Sequence, residues 1–104
     1  MTVYVLAQLS IFDRDAYDRY QARFMEVMRP FQGKVLAADE KPELIEGAWD
    51  KDKVVLLAFP DREAYLAWAE SPEYQEIAKD RKAGASAVIL LVRGLSSLSS
   101  PKSR

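Results

Sequence analysis

The chain contains neither histidine nor cysteine among its 104 residues. It therefore lacks the usual ligands of zinc and haem iron, a thiolate nucleophile and an imidazole general base. Glycine is also scarce, and the four glycines are isolated from one another. A phosphate-cradling glycine loop is thus absent, and a nucleotide cofactor is not expected. We predict no cofactor and no metal, so any catalysis must use carboxylates, Tyr, Lys, Arg or the substrate itself.

Charge of one sign and long hydrophobic runs are also missing. Fifteen Lys and Arg residues against 16 Asp and Glu residues give a net charge of −1, which does not favour binding to nucleic acid or anionic lipid. The apolar run 87–92 has six residues, far short of the roughly 20 that span a bilayer. The N-terminus does not resemble a signal peptide. We therefore expect a cytoplasmic protein that binds neither nucleic acid nor membranes.

The composition is that of an ordinary globular domain, with 49% hydrophobic and 30% charged residues. A chain of this length forms one domain, which we place at residues 1–95. The last segment, residues 96–104, is rich in serine, and we predict a disordered polar tail there.

Helix signals occur in two regions. Asp13 is a good N-cap, and the aromatic and apolar residues that follow it recur at spacings of three and four. Asp61 and Ser71 are N-caps for two further helical segments, with Pro72 suited to a first helical position and Gly84 to the end. The aromatic and apolar residues that form the stripe of the first helix are Tyr17, Tyr20, Phe24, Val27, Met28 and Phe31.

Extended segments alternate with these helices and predict an α+β fold. The polar connection 50–52 has the length of a hairpin turn, so we expect an antiparallel hairpin around it. The order of elements indicates a ferredoxin-like sandwich, with an antiparallel sheet and the helices on one face. The predicted strands are 3–11, 34–38, 42–49, 53–59 and 86–93.

The sheet face opposite the helices should be apolar and should need a cover. Pairing two such faces in a closed homodimer would provide it, and Leu57→Asp should then yield monomers or aggregates. We also expect Trp49, near the hairpin turn, to pack on the partner. The predicted outer residues are Tyr4, Leu6, Val55, Leu57, Ile89 and Leu91, or their immediate neighbours if the strand phase is shifted by one.

Several segments resemble the domain-of-unknown-function family 1330 (DUF1330) of the dimeric α+β barrel superfamily. The resemblance covers about residues 3–94, and the most specific part is Ser-Pro-Glu-Tyr at 71–74, after the helix that carries Trp68. It implies a homodimer with two facing sheets and a cleft between each sheet and its helices. Superfamily members include cofactor-independent oxygenases, haem-degrading enzymes, isomerases and ligand binders. One departure is Ala-Asp-Glu-Lys at 38–41, where family members often carry Arg-Gly-Gly. The other matching segments are 33–36, 44–49, 54–60, 67–68, Gln75 and Arg81.

The candidate catalytic residues are Asp39, Tyr74 and Arg81. Asp39, at the end of a strand, could act as a general base if burial raises its pKa, although a solvated loop is the alternative. Arg81 and Tyr74 could hold an oxyanion, but Arg81 could instead pair with Glu76 or Asp80.

The candidate ligand contacts are Tyr17, Glu40 and Trp68, and core packing is the alternative for Trp68. Two functions remain open. The first is a small-molecule binder with an apolar cleft, and the second is a cofactor-independent monooxygenase or isomerase acting on an aromatic or acidic-carbon substrate.

Overall fold

The computed structural model describes residues 1–95, so the predicted tail lies outside the described residues. A short 3₁₀ turn, Arg29–Phe31, follows the first helix. None of the helices in this range is long and apolar enough to traverse a bilayer. In chain order the elements are β1 (Val3–Ile11), α1 (Arg14–Met28), β2 (Lys34–Asp39), β3 (Lys53–Phe59), α2 (Arg62–Ala69), α3 (Pro72–Gly84) and β4 (Ala85–Arg93).

All three helices begin at the N-caps that the sequence indicates. The side chains of Asp13, Asp61 and Ser71 each accept a hydrogen bond from the backbone N–H three residues further on. These bonds satisfy donors that the first helical turn leaves without a partner. The predicted starts of the helices are therefore confirmed.

The four strands form one antiparallel sheet in the order β2-β3-β1-β4. Each helical region leads from one strand to a parallel strand two positions away, which gives two split βαβ units. The three helices cover one face, here called the helix face, and the other is the outer face. This arrangement is the ferredoxin-like α+β sandwich that the element order predicts.

Strand pairing assigns each side chain to a face, because residues directly opposite in an antiparallel pair point the same way. Val5 lies opposite Leu57 and Leu91, and Leu9 lies opposite Lys53 and Ala87. Val5, Leu9 and Leu57 are buried in the core with residues of all three helices, so these positions form the helix face.

Of the two phases left open by the sequence, the one listed first holds on β1, whereas the phase shifted by one residue holds on β3 and β4. Leu57 and Leu91, expected on the outer face with Val55 and Ile89, lie on the helix face. The continuous apolar runs of β3 and β4 carry no alternation that would fix their phase. The outer face instead carries Tyr4, Leu6, Val54, Leu56, Val88, Leu90 and Val92.

The predicted hairpin is also wrong. Residues 42–49 form an irregular connection, and β3 pairs with β2, where Asp39 lies opposite Val54. Since β1 and β2 occupy both edges of β3, a further strand has no place beside it. Gly47 adopts a φ of 94°, which favours glycine. Trp49 follows in this connection, and its Nε1 donates a 2.9 Å hydrogen bond to Oε1 of Gln8 on the outer face.

Candidate functional site

A cavity of about 340 Å³ lies between the helix face of the sheet and the three helices. Its floor is formed by β1 and β3 with parts of β2 and β4, and its walls come from α1, α2 and α3. Most of the lining is apolar or aromatic, which is usual for small-molecule sites. This space is therefore the candidate functional site.

One part of the cavity is built from aromatic rings. The indole of Trp68 lies 4.2 Å from the ring of Tyr74 and 5.7 Å from that of Phe24, measured between centroids. Tyr65 lies 6.0 Å from the same indole. These tilted and edge-on contacts hold the rings in place, and they give this part of the cavity a rigid apolar wall.

Two phenols in this wall form a buried pair. The hydroxyl oxygens of Tyr20 on α1 and Tyr74 on α3 lie 3.2 Å apart. Burial, together with the neighbouring Tyr74, raises the pKa of Tyr20 well above its ordinary value. Burial likewise raises the pKa of Tyr65. Tyr20 and Tyr65 are therefore neutral hydrogen-bonding groups at physiological pH.

Lys53, the first residue of β3, places an ammonium group in the cavity. The residue is only 6% exposed, because its side chain lies on the helix face opposite Leu9. Its Nζ lies 4.9 Å from the centre of the Tyr17 ring and donates a hydrogen bond to Oε1 of Gln21. Removal from water lowers the pKa of the Lys53 amine, while the nearby Glu40 carboxylate opposes that shift.

Tyr17 on α1 lies next to this lysine in the cavity lining. Burial of the phenol and the negative charge of Glu40 raise the pKa of Tyr17 to about 12. The cations Arg14 and Arg81 act in the opposite direction. Tyr17 is thus a neutral phenol whose ring lies 4.9 Å from the Lys53 ammonium and 5.8 Å from the Arg14 guanidinium.

Arg81 approaches the cavity from the last turn of α3. Its Nε is buried and has no hydrogen-bond partner within residues 1–95. The carboxylates considered as partners bind elsewhere, since Asp80 pairs with Arg19 and Glu76 with Lys79. The alternative prediction, that Arg81 pairs with Glu76 or Asp80, is therefore wrong.

Four of the six predicted site residues line the cavity, namely Tyr17, Trp68, Tyr74 and Arg81. Glu40 lies in an adjoining depression, where it accepts two hydrogen bonds of 3.0 and 2.8 Å from Arg14. These hydrogen bonds with Arg14 lower the pKa of Glu40. Its carboxylate also lies 3.8 Å from Nζ of Lys53, so it acts on the cavity through that lysine.

Asp39 is not part of the cavity lining. Its side chain is exposed, belongs to the outer face opposite Val54, and accepts a 2.8 Å hydrogen bond from the backbone N–H of Lys41. This contact is that of an Asx turn at a strand end. The geometry gives no support to Asp39 as a general base in the cleft.

Sequence reasoning missed Lys53, Tyr20 and Tyr65 as lining residues. Lysine is almost always exposed, and Lys53 follows a polar connection. Nothing in its neighbourhood in the sequence therefore indicated that its side chain is buried. Alternation places Lys53 on the same face as Val55, but the apolar run that follows does not determine which face that is.

A family model described as a domain of unknown function, DUF1330, matches residues 2–95. The chain belongs to this family. Among curated proteins, no sequence matches closely enough to count as a relative.

Solved structures share the fold at low sequence identity. A protein of unknown function from Rhodopseudomonas palustris is 19% identical, with a TM-score of 0.78 over 90% of this chain and 82% of that chain. A dimeric ferredoxin-like protein from Jannaschia sp. CCS1 is 15% identical, with a TM-score of 0.68 over 90% and 100%. SnoaB, a cofactor-independent oxygenase from Streptomyces nogalater, is 14% identical, with a TM-score of 0.67 over 89% and 92%. At these identities the likeness establishes the fold.

Proposed function

We propose that the protein binds a small, largely aromatic molecule in the cavity between its sheet and its helices. The observation that carries this proposal is the cavity itself, whose volume of about 340 Å³ lies within the range of ligand sites. Its rings, held against one another around Trp68, offer a preformed surface for stacking. A flat apolar ligand would gain contact area there without ordering a mobile segment.

We propose further that the protein acts as a homodimer in which two outer faces meet. Val88, Leu90 and Val92 on this face are each between 45% and 48% exposed in the single chain. A contiguous apolar surface of this kind favours association. The similar structure from Jannaschia is described as dimeric, which is compatible with a dimer of this chain.

Binding can be tested by a substitution on α2 that introduces a larger side chain into the cavity. Ala69 lines the cavity, whereas Ala67 on the same helix is exposed. We expect calorimetry to show binding of 2-naphthol to the wild type and to Ala67→Phe, with at least a tenfold loss in Ala69→Phe. Native mass spectrometry of the freshly purified protein would show any molecule retained from the cell. Equal affinities in the two variants, or no binding to the wild type, would contradict the proposal.

A second candidate is catalysis without a cofactor on the bound molecule. It is favoured by Lys53, because a lowered pKa leaves a larger share of the buried amine unprotonated, and the unprotonated amine can take a proton from a phenol or an acidic carbon. The fold shared with SnoaB, a cofactor-independent oxygenase, is compatible with this candidate. Arg81 and Tyr74 would then hold the resulting oxyanion, while Asp39 would have no part.

The two functions differ in what happens to the bound compound. We would incubate the molecule released from the purified protein, or 2-naphthol if none is released, with the protein in air and analyse it by liquid chromatography and mass spectrometry. Catalysis predicts a new product that Lys53→Met abolishes and Asp39→Ala retains. Recovery of the compound unchanged would leave binding as the function.

A further inference from the structure

The hydrogen-bonding groups of the cavity are unevenly divided between donors and acceptors. Within residues 1–95, no aspartate or glutamate lines the space, whereas Lys53 and Arg81 both do. The remaining polar side chains are four phenols, the indole of Trp68 and two glutamines. Oε1 of Gln21 already accepts a hydrogen bond from Lys53. Nε2 of Gln75 donates to the backbone oxygen of Ala69, so its Oε1 is the one amide acceptor of the lining in the described residues that is not used in these bonds. The cavity therefore has more donors to offer than acceptors.

Two of these donors are buried without a partner. They are Nε1 of Trp68 and Nε of Arg81, and both residues line the cavity in the described part of the chain. Trp68 is only 4% exposed. A buried N–H without an acceptor costs about 1–3 kcal/mol, and an acceptor oxygen of a ligand that came within hydrogen-bond distance of either group would remove that cost.

Lys53 and Arg81 both act on the phenol of Tyr17. Nζ of Lys53 lies 4.9 Å from the centre of the Tyr17 ring, and the charge of Arg81 opposes the rise in the pKa of Tyr17. The end of α3 that carries Arg81 contacts the start of α1, because the backbone oxygen of Gly84 accepts hydrogen bonds from Phe12 and Asp13. The charge of Arg81 also acts on Tyr20 and Tyr65. We call the part of the cavity around Tyr17, Lys53 and Arg81 its cationic end, and the rings around Trp68 form its aromatic body.

From this arrangement we infer that the ligand is an aromatic anion, such as an aromatic carboxylate or enolate. Its charged oxygens would lie at the end formed by Tyr17, Lys53 and Arg81, and its rings would lie against Trp68. This inference rests on the proposed binding function and adds the charge and orientation of the ligand. A cationic ligand is disfavoured because two buried positive charges face it without a carboxylate in the lining.

The test compares three ligands that share one ring system. They are 2-naphthoate, methyl 2-naphthoate and 2-naphthylmethylamine, measured by calorimetry at neutral pH. We expect the anion to bind roughly 10- to 100-fold more tightly than the ester, as charge-assisted hydrogen bonds allow, and the protonated amine to bind most weakly. An ester as tight as the anion overturns the inference but leaves the aromatic site intact. No binding by any of the three contradicts both proposals.

Variants locate the effect within the cavity. Arg81→Gln should lower the affinity for 2-naphthoate at least tenfold and change that for the ester less than twofold. Arg23→Gln is the matched control, since Arg23 is an exposed residue of α1 outside the cavity lining. Equal losses for both ligands in Arg81→Gln would indicate a structural role and overturn the inference. An unchanged affinity for 2-naphthoate would overturn it as well.

Discussion

At the scale of single residues, Lys53 combines an expected cost in stability with a proposed role in binding. Its ammonium is removed from water, and Glu40, the nearest carboxylate, lies 3.8 Å away and is already held by Arg14. Burying a charge that is incompletely paired opposes folding. A residue of this kind is expected where activity, rather than stability, determines the side chain.

We predict that Lys53→Met raises the free energy of unfolding by about 1 kcal/mol at pH 7. The pKa of Lys53 in the folded chain is below its ordinary value of 10.5, so folding is penalised most while both states are protonated, below the folded pKa. The penalty declines as the pH rises towards 10.5 and disappears above it. The gain of the variant should therefore shrink over the same range.

Urea unfolding at several pH values and one fixed protein concentration measures this effect. Lys79→Met, at an exposed position of α3, is the control and should change stability by less than about 0.5 kcal/mol. If Lys53→Met is less stable than the wild type, or if its gain in stability does not depend on pH up to 10.5, the loss of hydration of the Lys53 ammonium is fully compensated in the folded chain.

At the scale of elements, the close approach of α1 and α3 fixes the cationic end of the cavity. A Cβ at Gly84 would lie 2.6 Å from the backbone oxygen of Asp13 and 2.7 Å from the backbone nitrogen of Tyr17. The end of α3 therefore rests directly on the start of α1. This contact determines how far Arg81 lies from Tyr17.

We predict that Gly84→Ala lowers the free energy of unfolding by about 1–3 kcal/mol, because the backbone atoms it meets cannot move independently of α1. The better helix propensity of alanine, worth about 1 kcal/mol, is too small to compensate. Thermal unfolding followed by circular dichroism measures the change, with Ala83→Ser at an exposed neighbouring position as the control. A variant as stable as the wild type would mean that the two helices separate easily.

The elements also show where sequence reasoning succeeds and where it stops. Asp13, Asp61 and Ser71 identified the helix starts because capping depends on a few adjacent residues. Strand phase and the connection 42–49 could not be obtained in this way. They depend on which strand edges are already occupied, and that is decided by residues distant in the chain. The burial of Lys53 depends on the same pairing of strands, so its place in the cavity could not be predicted from the neighbouring residues alone.

At the scale of the whole molecule, the two faces of the sheet differ in what they contact. The helix face forms the core and the cavity, whereas the outer face presents apolar side chains to a proposed second copy. Leu57, first considered as an interface residue, is 3% exposed on the helix face. Leu90 lies opposite Leu6 on the outer face and is 47% exposed.

We therefore predict that Leu90→Asp converts the dimer into a folded monomer, because the charge would be buried between two sheets. Leu57→Asp should instead unfold the subunit, at a cost of about 4 kcal/mol or more. Size-exclusion chromatography with light scattering and circular dichroism distinguish these results. A wild-type monomer, or a Leu90→Asp dimer with unchanged melting, would contradict the proposed interface.

The two tryptophans of the chain occupy the two sides of the sheet. Trp68 is part of the cavity wall, and Trp49 is bonded to Gln8 on the outer face. Intrinsic tryptophan fluorescence thus comes from two indoles, one next to the proposed ligand and one next to the proposed partner. Replacing either with phenylalanine would leave a single tryptophan, so ligand entry and subunit association can be followed separately by selective excitation of tryptophan, without an attached dye.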